Sequence, residues 1–283
     1  KITYPMTTLV NEDECYAKIA QKFNKRENLK VICIQGPSAS GKSTLCDSIR
    51  FLLRAAGKEV FVLNIDNFLQ TKPKNVDYYD FDSPATIQWN KVNEILKAFD
   101  NKEEKLAIYR YSYKDSESSG PVLIDNKNPE YLIVEGLYAH YLFSDYFFDI
   151  ENISPLKSHD QIADVYVKNA FKFNNLSVLK IAFSISKEKM MEIRVKRDSQ
   201  KRKIDSSFVE WQINEQTWPA TEKWVYNYEI TQPDLILENG SFNYDGLISL
   251  KKGFIKFWEQ NESFDINSFY KSPYTIPYCD KKC

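Results

Sequence analysis

An excess of charge of one sign is the first thing this sequence lacks. Across 283 residues, 38 basic side chains stand against 39 acidic ones, for a formal charge of −1. Without a basic excess no global field exists to hold nucleic acid, so any anion site has to be local. No uninterrupted apolar run approaches the ~20 residues of a membrane span. The opening "KITYPMTTLVNEDE" has no apolar core of a secretory signal. Five cysteines, Cys15, Cys33, Cys46, Cys279 and Cys283, show neither metal-ligand spacing nor a dense disulfide pattern. Cys33 and Cys46 fall in an expected strand and helix as small buried thiols, and Cys279 and Cys283 in a solvated tail. The two histidines, His140 and His159, accompany no serine or cysteine in a triad pattern. Repeats and low-complexity tracts are missing too. What these absences leave is an ordinary globular chain in a reducing cytoplasm, with no nucleic-acid and no membrane partner expected.

What is present is a set of short apolar runs separated by helical patterns. Residues 30–35, 59–65, 131–135, 179–185 and 234–237 read as strands rich in Val, Ile, Leu and Phe. Their hydrophobicity is continuous rather than alternating, as for strands of a parallel sheet covered on both faces. Helices are expected at 11–24, 42–56, 86–99, 187–203, 207–217 and 244–260. The alternation argues for a doubly wound α/β domain. The stretch 70–83 reads as a loop, and 144–178 as an irregular, aromatic insertion. The helix at 244–260 reads as a packing helix or an oligomer contact.

The stretch "VICIQGPSASGKSTLCDSI" carries the chemistry. Gly36-Pro37-Ser38-Ala39-Ser40-Gly41-Lys42-Ser43 satisfies the G-x-x-x-x-G-K-[ST] phosphate-loop pattern, between an apolar strand and an amphipathic helix. The glycines let successive backbone N–H groups converge on phosphate oxygens. The helix after Gly41 adds about +0.5 of partial charge at its N-terminus. Lys42 can reach the β/γ oxygens, and Ser43 can ligate Mg²⁺. A Gly/Ser turn before a helix, with no ligand, is the bland alternative.

Two further strand ends supply carboxylates. "EVFVLNID" ends in Asp66, followed by "NFL", and "YLIVEG" ends in Glu135-Gly136. Ligands of open parallel sheets bind beyond the C-terminal strand ends, so Lys42, Asp66 and Glu135 are expected in one crevice. One carboxylate can orient a hydroxyl and accept its proton, while a second holds Mg²⁺. Asp66 as a turn cap is the structural alternative, and the same holds for Glu135. A GTPase base-reading element is missing, because the nearest string, "NKNP", has proline where the carboxylate belongs.

The motifs "GPSASGKST", "NIDNFL", "DYYDFDSPATI", "YLIVEGLYAHY" and "RVKRDSQKR" occur in the order found in the uridine kinase/phosphoribulokinase group of P-loop kinases, which this sequence resembles over about residues 30–240. The resemblance implies a P-loop NTPase fold, a three-layer α/β/α arrangement with a five-stranded, mainly parallel sheet and a helical lid. It implies ATP and Mg²⁺ as cofactors, held by Gly36, Ser38, Ser40, Gly41, Lys42, Ser43 and Thr44, with Ser43 and Glu135 on the metal side. It makes Asp66 the base and assigns Arg194, Arg197 and Arg202 to a lid over the nucleotide, with Asp198 structural. A solvated helix face is the other reading of that Arg/Lys run.

The acceptor side departs from the family pattern. In "DFDSPATI" Asp82 is kept, but Ser83 stands where a histidine is usual. In "IYRYSYKD" Arg110 replaces an acidic residue and Lys114 lies near the usual histidine position. Phe68, Asp82, Tyr109, Arg110 and Tyr111 are the candidate acceptor contacts, with the two tyrosines able to stack on a base. Arg110 and Lys114 would favour an anionic acceptor or simply decorate a hairpin. Trp211, Trp218 and Trp224 read as packing residues near the lid. The expected protein is a kinase domain over 1–265, with a lid at about 187–206, an insertion at about 144–178 and a tail at 266–283. It acts on a hydroxyl of a small molecule, a nucleoside first, with pantothenate, a sugar phosphate or glycerate as alternatives. A silent ATP-binding sensor is the rival from another class.

Overall fold

The computed structural model describes residues 28–238 apart from 56, 113–114 and 159–164. The expected helices 11–24 and 244–260, the tail 266–283, Cys15, Cys279, Cys283, Lys114 and His159 lie outside the described residues. One sheet is formed by β1 (Leu29–Gln35), β2 (Val60–Asn64), β5 (Tyr131–Gly136), β8 (Leu176–Ser184) and β9 (Leu235–Glu238). Its order is β2-β5-β1-β8-β9, and every neighbouring pair is parallel. Two hairpins stand beside it: β3 (Lys105–Ser112) with β4 (Glu117–Asp125), and β6 (Tyr146–Phe148) with β7 (Tyr166–Lys168).

The unbroken apolar runs are explained by burial on both faces. Val31 and Cys33 of β1, with Leu132 and Val134 of β5, enter the core beneath helix α2 (Trp89–Asp100), through Val92, Ile95, Leu96 and Phe99. Ile32, Ile34, Tyr131 and Ile133 point the other way, onto Leu45, Cys46, Ile49 and Leu53 of helix α1 (Lys42–Ala55). Fully burying one such aliphatic side chain contributes about 1.5–3 kcal/mol. That gives the expected three layers, α/β/α, with a wholly parallel sheet. Cys33 and Cys46 are buried free thiols, and burial pushes both pKa values upward.

The segment 144–178, in its described residues, carries regular structure where the sequence reads as irregular. It holds β6 and β7, and β8 begins within it at Leu176. Phe147 and Phe148 pack edge-on against Trp89, Tyr138 and Trp224, in the same core that lies under α2. Its aromatic content therefore serves packing. Among the described residues no helix is long and apolar enough to cross a membrane.

Candidate active site

The parallel sheet brings the C-terminal ends of β1, β2 and β5 to one edge, and the phosphate loop leaves β1 there. Gly36 lets the loop cross β8, since a Cβ at that position would lie 2.6 Å from the Phe183 Cβ. Gly41 has φ +104°, which L side chains rarely adopt, and Ala39 holds φ +63°. The loop is thus bent by backbone conformation before any ligand is considered. Lys42 opens α1, and its Nζ donates to the Pro37 carbonyl at 2.8 Å. Ser43 and Thr44 are exposed at the helix start. The Ser40 side chain is buried inside the loop, against Gly36.

Glu135 lies opposite Asn64 of β2 and Ile34 of β1. It accepts from Ser43 Oγ at 3.1–3.3 Å and from Asn64 Nδ2 at 2.8 Å. Asn64 Oδ1 in turn accepts from the Asp66 backbone N–H at 2.8 Å. Asn64 therefore joins the two carboxylate positions, a role that its place in "NID" carries but residue type alone did not flag. Gly136 is glycine for a steric reason, because a Cβ would come within 2.7 Å of Ile65 Cβ where the 3₁₀ turn Ile65–Phe68 crosses the strand end.

The charges here act on one another. Burial lowers the Lys42 pKa; Asp66 and Glu135 oppose that, Arg197 adds to it, and Asp82 opposes it. Burial raises the Glu135 pKa, with Lys42 opposing and Asp66 reinforcing. Lys42, Asp66, Glu135, Arg197 and Asp82 thus share one electrostatic neighbourhood, of which the strand ends predicted the first three.

The arginine-rich helix α3 (Lys187–Lys201) is capped by Ser186 and organised around Asp198. That carboxylate is 1% exposed and receives Arg197 Nε at 2.7 Å and Arg194 Nε at 3.3 Å, with Arg202 Nε at 3.5 Å. Burial opposes its ionisation, but the three guanidinium groups outweigh burial and hold it below the usual carboxylate range. Arg194 is not an open lid residue. Its Nη1 and Nη2 donate to Thr217 Oγ1 at 2.6 Å and Gln212 Oε1 at 2.7 Å. Arg197 is the arginine that acts on Lys42, while Arg202 is more exposed at the end of α3.

On the acceptor side, the loop 70–83 departs and returns beside the bridge Leu69–Ile87. Asp82 Oδ2 accepts from Thr217 Oγ1 at 2.7 Å, and the Asp82 carbonyl accepts from the Tyr138 hydroxyl. Asp80 is buried and accepts from the Asp82 N–H at 2.9 Å. Gln216 Nε2 donates to the Tyr79 carbonyl at 3.2 Å. Ser83, at the usual histidine position, is a buried cap whose hydroxyl accepts from Ala85 N in the 3₁₀ turn Pro84–Thr86.

The other acceptor candidates differ in exposure. Phe68 is 1% exposed and packs on Tyr109 with ring centroids 5.6 Å apart, so it supports the wall from inside the core. Tyr109 is buried too, and the Lys91 ammonium covers its ring at 4.3 Å, which removes it as a stacking face. Arg110 is exposed on β3, in the hairpin paired with Ser119. Tyr111 is half-buried, and its electrostatic contact with Tyr79 puts it by the loop. Trp224 is fully buried, whereas Trp211 is half exposed and stacks on Phe208. His140 is a core residue, its ring nitrogen 3.1 Å from the Cys33 carbonyl.

The phosphate-loop motif thus stands at the edge of a parallel sheet, with a buried carboxylate on its Ser43 and an arginine-rich helix alongside. Residues 31–152 match the family model "Phosphoribulokinase / Uridine kinase family", so the resemblance read from the motifs holds over that stretch. Among solved structures, a candidate fructose transport system kinase from Silicibacter sp. is similar at 13% identity and TM-score 0.51, over 78% of this chain and 98% of that one. A candidate uridine kinase from Bacillus stearothermophilus aligns at 13% identity and TM-score 0.47, over 79% of this chain and 97% of the other. The first of these likenesses establishes the fold. A search of curated protein sequences finds no match.

Proposed function

We propose that this chain is an ATP- and Mg²⁺-dependent kinase that phosphorylates a hydroxyl of a small molecule, with an uncharged nucleoside as first acceptor. The observation that carries the reading is the meeting of Lys42, Asp66 and Glu135 at one sheet edge, with Asn64 bonded to both carboxylate positions. The donor set fits Mg²⁺. Ser43 Oγ and the Glu135 carboxylate are hard oxygen donors already in contact. Among the described residues no group of three or more His, Cys, Asp or Glu side chains could hold a metal by itself. Mg²⁺ is commonly held by one or two carboxylates with water and substrate phosphates. When bound, it neutralises charge on the β/γ oxygens.

The phosphate loop and Lys42 hold the triphosphate, and Arg197 adds positive charge beside the transferring group. Asp66 orients the acceptor hydroxyl and takes its proton as the new O–P bond forms and the bond to the ADP oxygen breaks. Asp66, Asp80 and Asp82 make the acceptor side rich in carboxylates. Burial raises the Tyr138 and Tyr79 pKa values, Tyr79 to about 12, so both hydroxyls stay neutral at pH 7. Like charges placed together cost several kcal/mol, which supports a neutral acceptor over a sugar phosphate.

The test is acceptor-dependent ADP release from purified protein with uridine, cytidine, pantothenate, glycerate and sugar phosphates. Turnover that Asp66→Ala removes while ATP still binds supports the kinase. ATP binding without turnover on any acceptor would replace it with a nucleotide sensor.

A further inference from the structure

Between Ser206 and Val225 the chain stays helical but widens twice. Helix α4 (Ser206–Gln212) widens into a π turn at Ile213–Thr217, returns to α form at Trp218–Ala220 and widens again at Thr221–Val225. Pro219, between the widened turns, has no N–H for the ladder. A π turn bonds i to i+5, which brings residues five apart toward one face. In a regular α-helix of 3.6 residues per turn they would diverge by about 140°. Gln212 and Thr217 are such a pair, and both accept from the single guanidinium of Arg194.

Thr217 passes the connection on. Its side chain is buried; its hydroxyl accepts from Arg194 on α3 and donates to Asp82 Oδ2 on the acceptor loop at 2.7 Å. The preceding residue of the same turn, Gln216, holds the Tyr79 carbonyl of that loop. A cation on one element and a carboxylate on another are thereby joined through one hydroxyl, and the widened turn is what registers it between them.

We propose that Thr217 is a positioning residue whose hydroxyl clasps the lid helix to the acceptor loop, setting Arg194 and Asp82 as one unit. Its consequence for turnover rests on the kinase reading above, while the clasp itself does not. Valine has the shape of threonine without the hydroxyl, so Thr217→Val removes both bonds and leaves Arg194 and Asp82 each short of a partner.

Hydrogen–deuterium exchange of the full chain without ligand decides the clasp. Thr217→Val should speed exchange about fivefold or more both at 80–83 and around Arg194 on α3, and Thr217→Ser should restore both. Acceleration confined to 213–221, with 80–83 unchanged, would overturn the proposal. If Thr217→Val does not fold, Arg194→Lys carries the same test, since the clasp transmits a change on α3 to 80–83; an unchanged loop overturns it equally. On an acceptor that wild-type protein turns over, Thr217→Val should raise the acceptor KM about tenfold and leave the ATP KM within twofold. A loss in kcat alone would count against the clasp. Wild-type protein with no turnover on any alcohol would sink the kinase reading, and the exchange comparison would still decide Thr217.

Discussion

The two walls of the candidate site are built differently. Around Lys42 the wall is one contiguous stretch, from the end of β1 to the first turn of α1, shaped by Gly36, Ala39 and Gly41 through backbone conformation. Around Asp82 the wall is assembled from distant segments: the loop 70–83, Tyr138 after β5, Arg194 on α3 and Thr217 in a π turn. The wall around Lys42 needs glycines and a helix start, which form a short contiguous motif. The wall around Asp82 depends on side chains that meet only after folding.

Mutations at the junction of the two walls should have the largest effect. Asp66→Ala is expected to lower kcat roughly 10²–10⁴-fold, the span of general-base contributions, with ATP affinity by calorimetry little changed. Lys42→Ala should do the reverse and weaken ATP binding roughly 10–100-fold, since a charge-assisted bond contributes about 1.5–3 kcal/mol. If ATP affinity did not change, the loop would not be the phosphate site. Asn64→Ala breaks the bond to Glu135 and the one from Asp66 N–H. A kcat loss of about tenfold is expected, and a purely thermal destabilisation with unaltered kcat would remove Asn64 from the site.

Gly36→Ala tests whether the wall around Lys42 is set by backbone. The added Cβ would meet Phe183 at 2.6 Å. An overpacking cost of about 1–3 kcal/mol corresponds to a fall in Tm of roughly 2–10 °C. A tolerated alanine would show that the loop can shift. Glu135→Gln probes the buried carboxylate through pH. Its folded pKa is raised chiefly by burial, so ionisation costs stability at neutral pH, and that cost vanishes as pH falls through the folded value to the unfolded one. Unliganded Glu135→Gln should therefore melt higher than wild type at pH 7, with the difference fading on acidification below the ordinary glutamate range. A gap that widened in acid would reverse the sign of the burial argument. The smallest effect is expected for Arg110→Ala: exposed on β3, it should alter the KM of any acceptor by less than about twofold, in keeping with the small effects of surface substitutions.

Much of the frame was legible beforehand because it rests on local patterns. The five strands were marked by continuous apolar runs, and each lies within a few residues of its expected span because both faces of the sheet are covered. The phosphate loop was legible because strand, glycines, lysine and hydroxyl are adjacent in sequence. Asp66 and Glu135 followed from strand-end logic. The burial of Phe68 and Tyr109 was not legible, because an aromatic near a site looks the same in sequence whether its ring faces outward or into the core. Arg194 was assigned by position on a charged helix, which says nothing about which partners its guanidinium meets.

Local pattern alone specified the parallel α/β frame, the phosphate-loop motif with its lysine and the two carboxylates at the strand ends, because hydrophobic period and backbone geometry act over a few residues. The wall around Asp82 took shape only through the packing of distant elements. Ser83 became a cap, Tyr109 was covered by Lys91, and Thr217 reached Asp82 from 135 residues away. A hydrogen bond over that separation depends on the packing of whole elements, and nothing in the local pattern around either residue encodes it.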